Sequence, residues 1–290
     1  MYPGIRDDIL LSAGYPTLLE GLKAVDLFNV EIAMDREYKV TNPLGGHLCL
    51  ADAAEKAEYK RILAAEGIKI DGILLATNFN HDEKQAERDW VVGVTELAKE
   101  LGCEAIRIDA MMSGERDLPL AERLEKFAEA MREVIARTEG SGIEYGIEKH
   151  GFQGNDPNFL EQLFDAVGSA RLGITMDTGH FYWAGHPIED VYGILERMAP
   201  RTKHTHVKNI NYPAEYRNIK RELGWEYGKY VSPIYEGDID HERVAALLKA
   251  AGYKRGFNCE DECLGKFEMD ERKEILKKDV DYLKSLCDEE

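Results

Sequence analysis

No run of about 18 apolar residues occurs in this sequence, so a membrane-spanning helix is not expected. Its five cysteines are odd in number, scattered and without a CxxC pair. That excludes a disulfide framework and fits a reducing, cytoplasmic setting. The first residues, Met1-Tyr-Pro-Gly-Ile-Arg-Asp-Asp, show no basic stretch leading into an apolar one, so no secretory leader is expected. Basic charge is scarce: 37 Lys+Arg stand against 55 Asp+Glu in 290 residues, a net charge of −18, and no basic run appears. A nucleic-acid partner, which needs clustered cations to neutralise phosphates, is therefore not expected. No Gly-rich phosphate turn follows the first strand candidate, which argues against a dinucleotide fold. Repeats, low-complexity tracts and linkers are absent too, and residues 1–290 read as a single domain.

What is present is one rhythm. Short β-rich runs alternate with helical patterns along the whole chain. The strand candidates are Asp8–Ser12, Asn29–Met34, Ile68–Ala76, Ala105–Ala110, Glu144–Lys149, Leu172–Asp177, Lys203–Lys208 and Gly256–Glu260. Between them apolar residues recur at spacings of three and four. Leu120, Leu124, Phe127, Met131 and Val134 mark the fourth helix, and Leu276, Val280 and Leu283 the last. Asp156-Pro157 and His186-Pro187 open helices, Asp240 can cap another, and Gly67, Gly102, Gly140 and Gly252 close them before strands. Strand–helix alternation implies parallel strands with right-handed crossovers. Eight units in this length predict an α/β fold, a single (β/α)8 TIM barrel. Three stretches interrupt the rhythm: Asp35–Leu50, Asn78–Asp82, and a long loop after strand 7, Asn209–Gly237, rich in tyrosine. In a barrel all three lie at the C-terminal face, where active sites are built.

Ionisable residues collect at the ends of four consecutive strands: Ile147-Glu148-Lys149-His150, Met176-Asp177-Thr178-Gly179-His180, His204-Thr205-His206-Val207-Lys208 and Phe257-Asn258-Cys259-Glu260. A barrel would point Glu148, Asp177, His206 and Glu260 at one spot. Three bare carboxylates in a dry pocket would force at least one pKa strongly upward, and a divalent metal removes that conflict. Three oxygens and one imidazole suit Mn²⁺, Mg²⁺, Zn²⁺ or Co²⁺, and the lack of thiolate argues against a purely structural zinc.

These runs, with Tyr235-Glu-Gly-Asp-Ile-Asp, resemble the sugar phosphate isomerase/epimerase superfamily, the xylose isomerase-like TIM barrels. That group includes ketose 3-epimerases and inosose isomerases and dehydratases. The resemblance implies that Glu148, Asp177, His206 and Glu260 hold the metal, with Mn²⁺ foremost. It implies further that His180 touches substrate and that His150 and Lys208 line the pocket. Glu148 and Glu260 would remove and return a proton from opposite sides of the substrate. A small carbohydrate substrate and, as in many relatives, a homo-oligomer are also implied. Asp109 on the fourth strand, and the lack of an Asp-x-His between Asn209 and Gly237, set the chain apart from the endonuclease IV branch. Ketose 3-epimerases place an arginine shortly after the seventh-strand histidine. Here the nearest is Arg217, the substrate-binding candidate of the long loop.

Other residues keep two readings. Arg107 and Asp109 form a salt bridge or meet substrate, and Trp183 and Trp225 stack on a sugar or simply pack. Glu31 reads as a pocket-wall acid, and Glu262 as a partner of Lys266. His204 is expected on the other side of the strand from His206. Together these features predict a metal-dependent sugar isomerase or epimerase that moves a proton beside a carbonyl through an enediolate. The alternative is a lyase or dehydratase acting on a keto-sugar, keto-glycoside or inosose, and a remote third is a non-catalytic subunit of a partner enzyme. The aromatic loop suggests a bulky substrate.

Overall fold

The computed structural model describes residues 1–79, 84–110, 114–148, 150 and 153–288. Eight parallel strands line up as β8-β1-β2-β3-β4-β5-β6-β7. They are β1 (Tyr2–Arg6), β2 (Asn29–Ala33), β3 (Lys69–Leu74), β4 (Ala105–Asp109), β5 (Glu144–Glu148), β6 (Leu172–Asp177), β7 (Thr202–His206) and β8 (Gly256–Cys259). The two ends of the sheet meet. Val207, just past β7, bridges Cys259 in parallel, its N–H donates to Asn258 O at 2.7 Å, and Glu260 N–H donates to Val207 O at 3.0 Å. Around this barrel run α1 (Leu18–Val25), α2 (Ala53–Glu66), α3 (Lys84–Leu101), α4 (Leu120–Arg137), α5 (Pro157–Val167), α6 (Ile188–Met198), α7 (His241–Ala250) and α8 (Met269–Leu286). The expected TIM barrel is therefore the fold.

Local chemistry places the elements. Asp156 caps α5 by accepting from Asn158 N–H, with Pro157 in the first turn, and Asp240 caps α7 by accepting from Arg243 N–H. Gly67 follows α2 in the left-handed region at φ +69, where a Cβ would be strained. Phe127, Met131 and Val134 of α4 are buried as their spacing predicts, whereas Leu120, at the helix start, is 42% exposed. Among the described residues no helix is long and apolar enough to cross a membrane.

The first strand is not where its apolar residues suggested. Asp8–Ser12 falls in a short helix, Asp7–Ser12, in which Ile9 and Leu10 are buried while Leu11 and Ser12 face outward. Two acids in the first turn favour that helix. The true strand, Tyr2–Arg6, is hidden by Pro3 and Gly4, both usually turn residues. Pro3 is tolerated because β1 pairs with β2 only from Ile5 onward.

The interrupting stretches are partly ordered. The one after β2 carries an antiparallel hairpin, Lys39–Thr41 with His47–Cys49. The one expected at 78–82 lies mostly outside the described residues. Between β7 and α7 the chain forms short pieces: Asn209–Ile210 paired with Val231–Ser232, and helical turns at Ala214–Arg217, Tyr227–Tyr230 and Ile234–Glu236.

His241 opens α7 in full burial, against the rings of Phe257 and Tyr282 and 3.2 Å from Thr178 Oγ1. Burial pushes its pKa down from 6.5 to about 4. A depressed folded-state pKa means that the unfolded chain takes the proton first as the pH falls. This contribution to stability is complete above pH 6.5 and is lost on acidification towards pH 4. Relative to His241→Gln, the protein should lose about 2 kcal/mol between pH 7 and pH 5. Urea unfolding of both proteins at the two pH values measures the difference, and equal pH slopes would refute it.

Candidate active site

Strand register brings the ionisable residues to one level inside the barrel mouth. Arg6 lies opposite Glu31, Asp109 opposite Glu148, and Asp177 opposite His206. Glu260 follows β8 and reaches the same level from the closing seam.

His206 sits at the centre, fully buried. Its Nδ1 is 3.2 Å from Glu148 Oε1 and 3.3 Å from Glu260 Oε2, and its Nε2 is 2.8 Å from Glu31 Oε2. Asp177 lies beside this group, with Oδ2 3.3 Å from His180 Nδ1 and 3.2 Å from Lys208 Nζ, and Lys208 Nζ is 2.9 Å from Glu260 Oε2. Glu148, His206 and Glu260 are thus joined by direct contacts, and Lys208 links Asp177 to Glu260. Among the described residues, Glu148, His206 and Glu260 offer donor atoms within 4.8 Å of one another, and so do Glu148, Asp177 and His180. Glu148 belongs to both sets. His180, expected as a substrate contact, is thus brought within reach of Glu148 and Asp177 as a further donor residue.

The remaining candidates divide. His150 bonds Asp109 Oδ1 through Nδ1 at 2.7 Å and is partly exposed at the rim. Lys149, beside it in sequence, lies outside the described residues. Arg107 points into the barrel, paired with Glu148 and, at 2.8 Å, with Asp109, so the salt-bridge reading describes its contacts. Lys208 also binds Glu262, which accepts from Tyr227 Oη. Glu262 was expected to pair with Lys266, but the Lys266 ammonium instead donates to Lys229 O and Val231 O. Trp183 packs its ring 4.9 Å from that of His180 and so belongs to the site wall. Arg217 is not brought to this group. Its guanidinium bonds Asp238, Tyr212 O and Asn211 within its own segment. The aromatic residues of that segment pack largely on each other: Trp225 lies 4.6 Å from Tyr216 and 5.6 Å from Tyr230, and Tyr212 contacts both Trp225 and Tyr230. Of its tyrosines, Tyr227 is the one whose hydroxyl bonds a neighbour of the acid group.

Two residues that sequence reasoning underrated prove central. Arg6, hidden with the first strand, pairs with Glu260 and lies 3.7 Å from Glu31. His204 was expected on the far side of β7. Side chains two apart on a strand share a face, and the His204 and His206 rings are indeed 5.5 Å apart, with both Nε2 atoms on Glu31.

The electrostatics favour added positive charge. Burial opposes a charge on His206, yet Glu260, Glu31 and Glu148 outweigh it and hold its pKa well above the usual value. Burial likewise opposes ionisation of Glu148, but Arg107 and His206 keep its pKa well below the usual carboxylate range. Five buried carboxylates (Glu31, Asp109, Glu148, Asp177 and Glu260) meet three permanent cations, Arg6, Arg107 and Lys208. This leaves two negative charges; the proton that His206 holds offsets one of them, and a divalent cation taking the place of that proton would balance both. Glu260 Oε2, buried 2.9 Å from Lys208 Nζ, makes no hydrogen bond of normal geometry within the described residues. Donor set, charge and this oxygen all fit a divalent metal. His206 would ligate through Nδ1 while Nε2–H donates to Glu31, the usual carboxylate support of a ligating histidine.

Barrel and mouth define a (β/α)8 protein with a buried carboxylate–histidine group whose donor atoms could hold a metal ion. The chain belongs to the xylose isomerase-like TIM barrel family, whose model matches residues 30–286. Inosose dehydratase of Serratia proteamaculans (strain 568) is 24% identical over 214 residues, 69% of this chain and 72% of that protein. A crystal structure of IOLI protein with a bound zinc atom superposes over 100% of both chains at a TM-score of 0.75 and 17% identity. A D-tagatose 3-epimerase-like protein covers 98% of this chain and 99% of its own at a TM-score of 0.65 and 19% identity.

Proposed function

We propose that this protein is a metal-dependent enzyme that transfers a proton beside the carbonyl of a sugar or cyclitol, with isomerisation or epimerisation as the outcome. The observation that carries the reading is the placement of Glu148 and Glu260, on β5 and just after β8, 3.2 and 3.3 Å from the same nitrogen of His206. Two carboxylates then flank one point from different strands, which suits removal of a proton on one side and its return on the other. Glu148, Asp177, His206 and Glu260 would hold a divalent cation, which would supply Lewis acidity for the carbonyl and for the negative charge that develops beside it. Lys208 holds Glu260 and Asp177 in place, Arg107 orients Glu148, and His180 and Trp183 form the wall against which the sugar rests. His150 at the rim is positioned to contact a substrate hydroxyl. Mn²⁺ is the proposed ion, with Zn²⁺, Mg²⁺ and Co²⁺ as substitutes.

The second reading is dehydration. It is favoured by the inosose dehydratase relative and by the Lys208 ammonium, a proton donor beside the two carboxylates that could serve a departing hydroxyl. Incubation of the metal-loaded protein with inososes and ketoses in D₂O, followed by NMR, separates the two. Deuterium at the carbon beside the carbonyl, with a new epimer or isomer, supports the first reading. An unsaturated or deoxy product replaces it with the second, and no exchange on any substrate rejects both.

A further inference from the structure

Beneath the acid group, the barrel interior has an unusual composition. Such interiors are normally filled by layers of Val, Ile and Leu. Here the layer contains Asp71, Asn258, His204 and Thr175, all buried. Backbone irregularities and glycines make room for it. The β2–β3 register skips Asp71, pairing Val30 with Ile70 and Glu31 with Gly72. The β6–β7 register shifts in the same way just before His204, which lies opposite Thr175. Such bulges re-aim side chains. A Cβ on Gly72 would stand 2.5 Å from Cε1 of His204, and one on Gly4 would stand 1.9 Å from Asn258 Oδ1 and 2.6 Å from Asp71 Oδ2. The His204 ring thus crosses the barrel through space that only glycine leaves, and its Nε2 reaches Glu31 Oε1 at 2.9 Å. The side-chain amide of Asn258 lies beside the same nitrogen, with Nδ2 3.4 Å from Nε2. Within the described residues His204 Nδ1, Asn258 Oδ1 and both Asp71 oxygens make no hydrogen bond of normal geometry.

A layer like this costs stability compared with an aliphatic one, so packing does not explain it. We propose that His204 is a positioning residue for the metal centre. It clamps one oxygen of Glu31 so that the other holds His206 Nε2–H, leaving Nδ1 turned towards Glu148 and Glu260. Asp71 and Asn258 support the ring from below. This rests on the metal reading of the preceding section. It adds a support two contacts removed from the cation, reached through Glu31.

The test uses the full chain and Zn²⁺ as the probe. Competition with a chromophoric chelator gives the Zn²⁺ dissociation constant of the wild type, His204→Leu, His204→Gln and Gly72→Ala. The expected loss of affinity is about 10- to 100-fold for His204→Leu, and a loss of the same sense for Gly72→Ala, which displaces the ring without deleting it. His204→Gln, whose amide can still donate to Glu31, should stay within about threefold of the wild type. Zinc affinity unchanged in both His204→Leu and Gly72→Ala overturns the proposal while leaving the metal reading intact. A wild type that binds no Zn²⁺ overturns both. Imidazole ¹⁵N shifts of the wild type need no variant to fold. Zinc should move Nδ1 of His206 and leave Nε2 of His204 and His206 protonated, whereas zinc on Nε2 of His206 rules the clamp out.

Discussion

Glu148→Gln and Glu260→Gln are each expected to lower turnover by about 10³-fold or more. Glutamine keeps the shape and one oxygen but can neither carry the charge nor accept a proton. At position 148 it removes the partner of Arg107 and a neighbour of His206; at position 260 it removes the partner of Arg6 and Lys208. Each variant should therefore bind metal more weakly and fail to exchange the substrate proton. The measurement is exchange in D₂O at saturating metal, with unfolding monitored separately because both residues lie in charge networks. If both variants exchange at the wild-type rate, neither carboxylate is the base and the site assignment falls.

Arg107→Met should produce the largest loss of stability. Arg107 is buried, and its guanidinium is the cation nearest Glu148, with further contacts to Asp109 and His150. Removing one member of a buried pair leaves the other desolvated and uncompensated, which costs about 3–5 kcal/mol. Methionine occupies a similar volume, so the loss reports charge more than cavity. Two further measurements isolate the cause. Pairing the change with Glu148→Leu should recover much of the loss, and saturating Zn²⁺ should protect the single variant by supplying the missing positive charge. Chemical denaturation of the single and double variants decides, and a double variant no more stable than Arg107→Met would place the effect elsewhere.

The barrel was legible because its evidence is periodic. Seven of the eight strand candidates coincide with the barrel strands to within a few residues, since parallel strands buried on both faces read as apolar runs. β1 escaped because its propensities are wrong for a strand. Gly4 makes room for Asp71 and Asn258, partners tens and hundreds of residues away that no local pattern reveals. The same limit applies to the site. Glu148, Asp177, His206 and Glu260 could be picked out because each ends an apolar strand. Arg6 and His204 matter through contacts across the barrel, and the period-two rule, correctly applied, would have put His204 on the face of His206. Arg217 and the tyrosines between β7 and α7 were readable as residue types only. Whether an aromatic residue meets a ligand or another aromatic is decided by packing, and here Tyr212, Tyr216, Trp225 and Tyr230 meet each other.

The contact between Trp183 and His180 has a practical side. The protein has three tryptophans, and the indole of Trp183 rests 4.9 Å from an imidazole that itself leans on Asp177. A protonated imidazole quenches a neighbouring indole more strongly than a neutral or ligated one. Whatever fills the space beside Asp177 therefore also changes the light emitted from the barrel mouth. The site carries its own optical reporter, in a residue that need not take part in the chemistry.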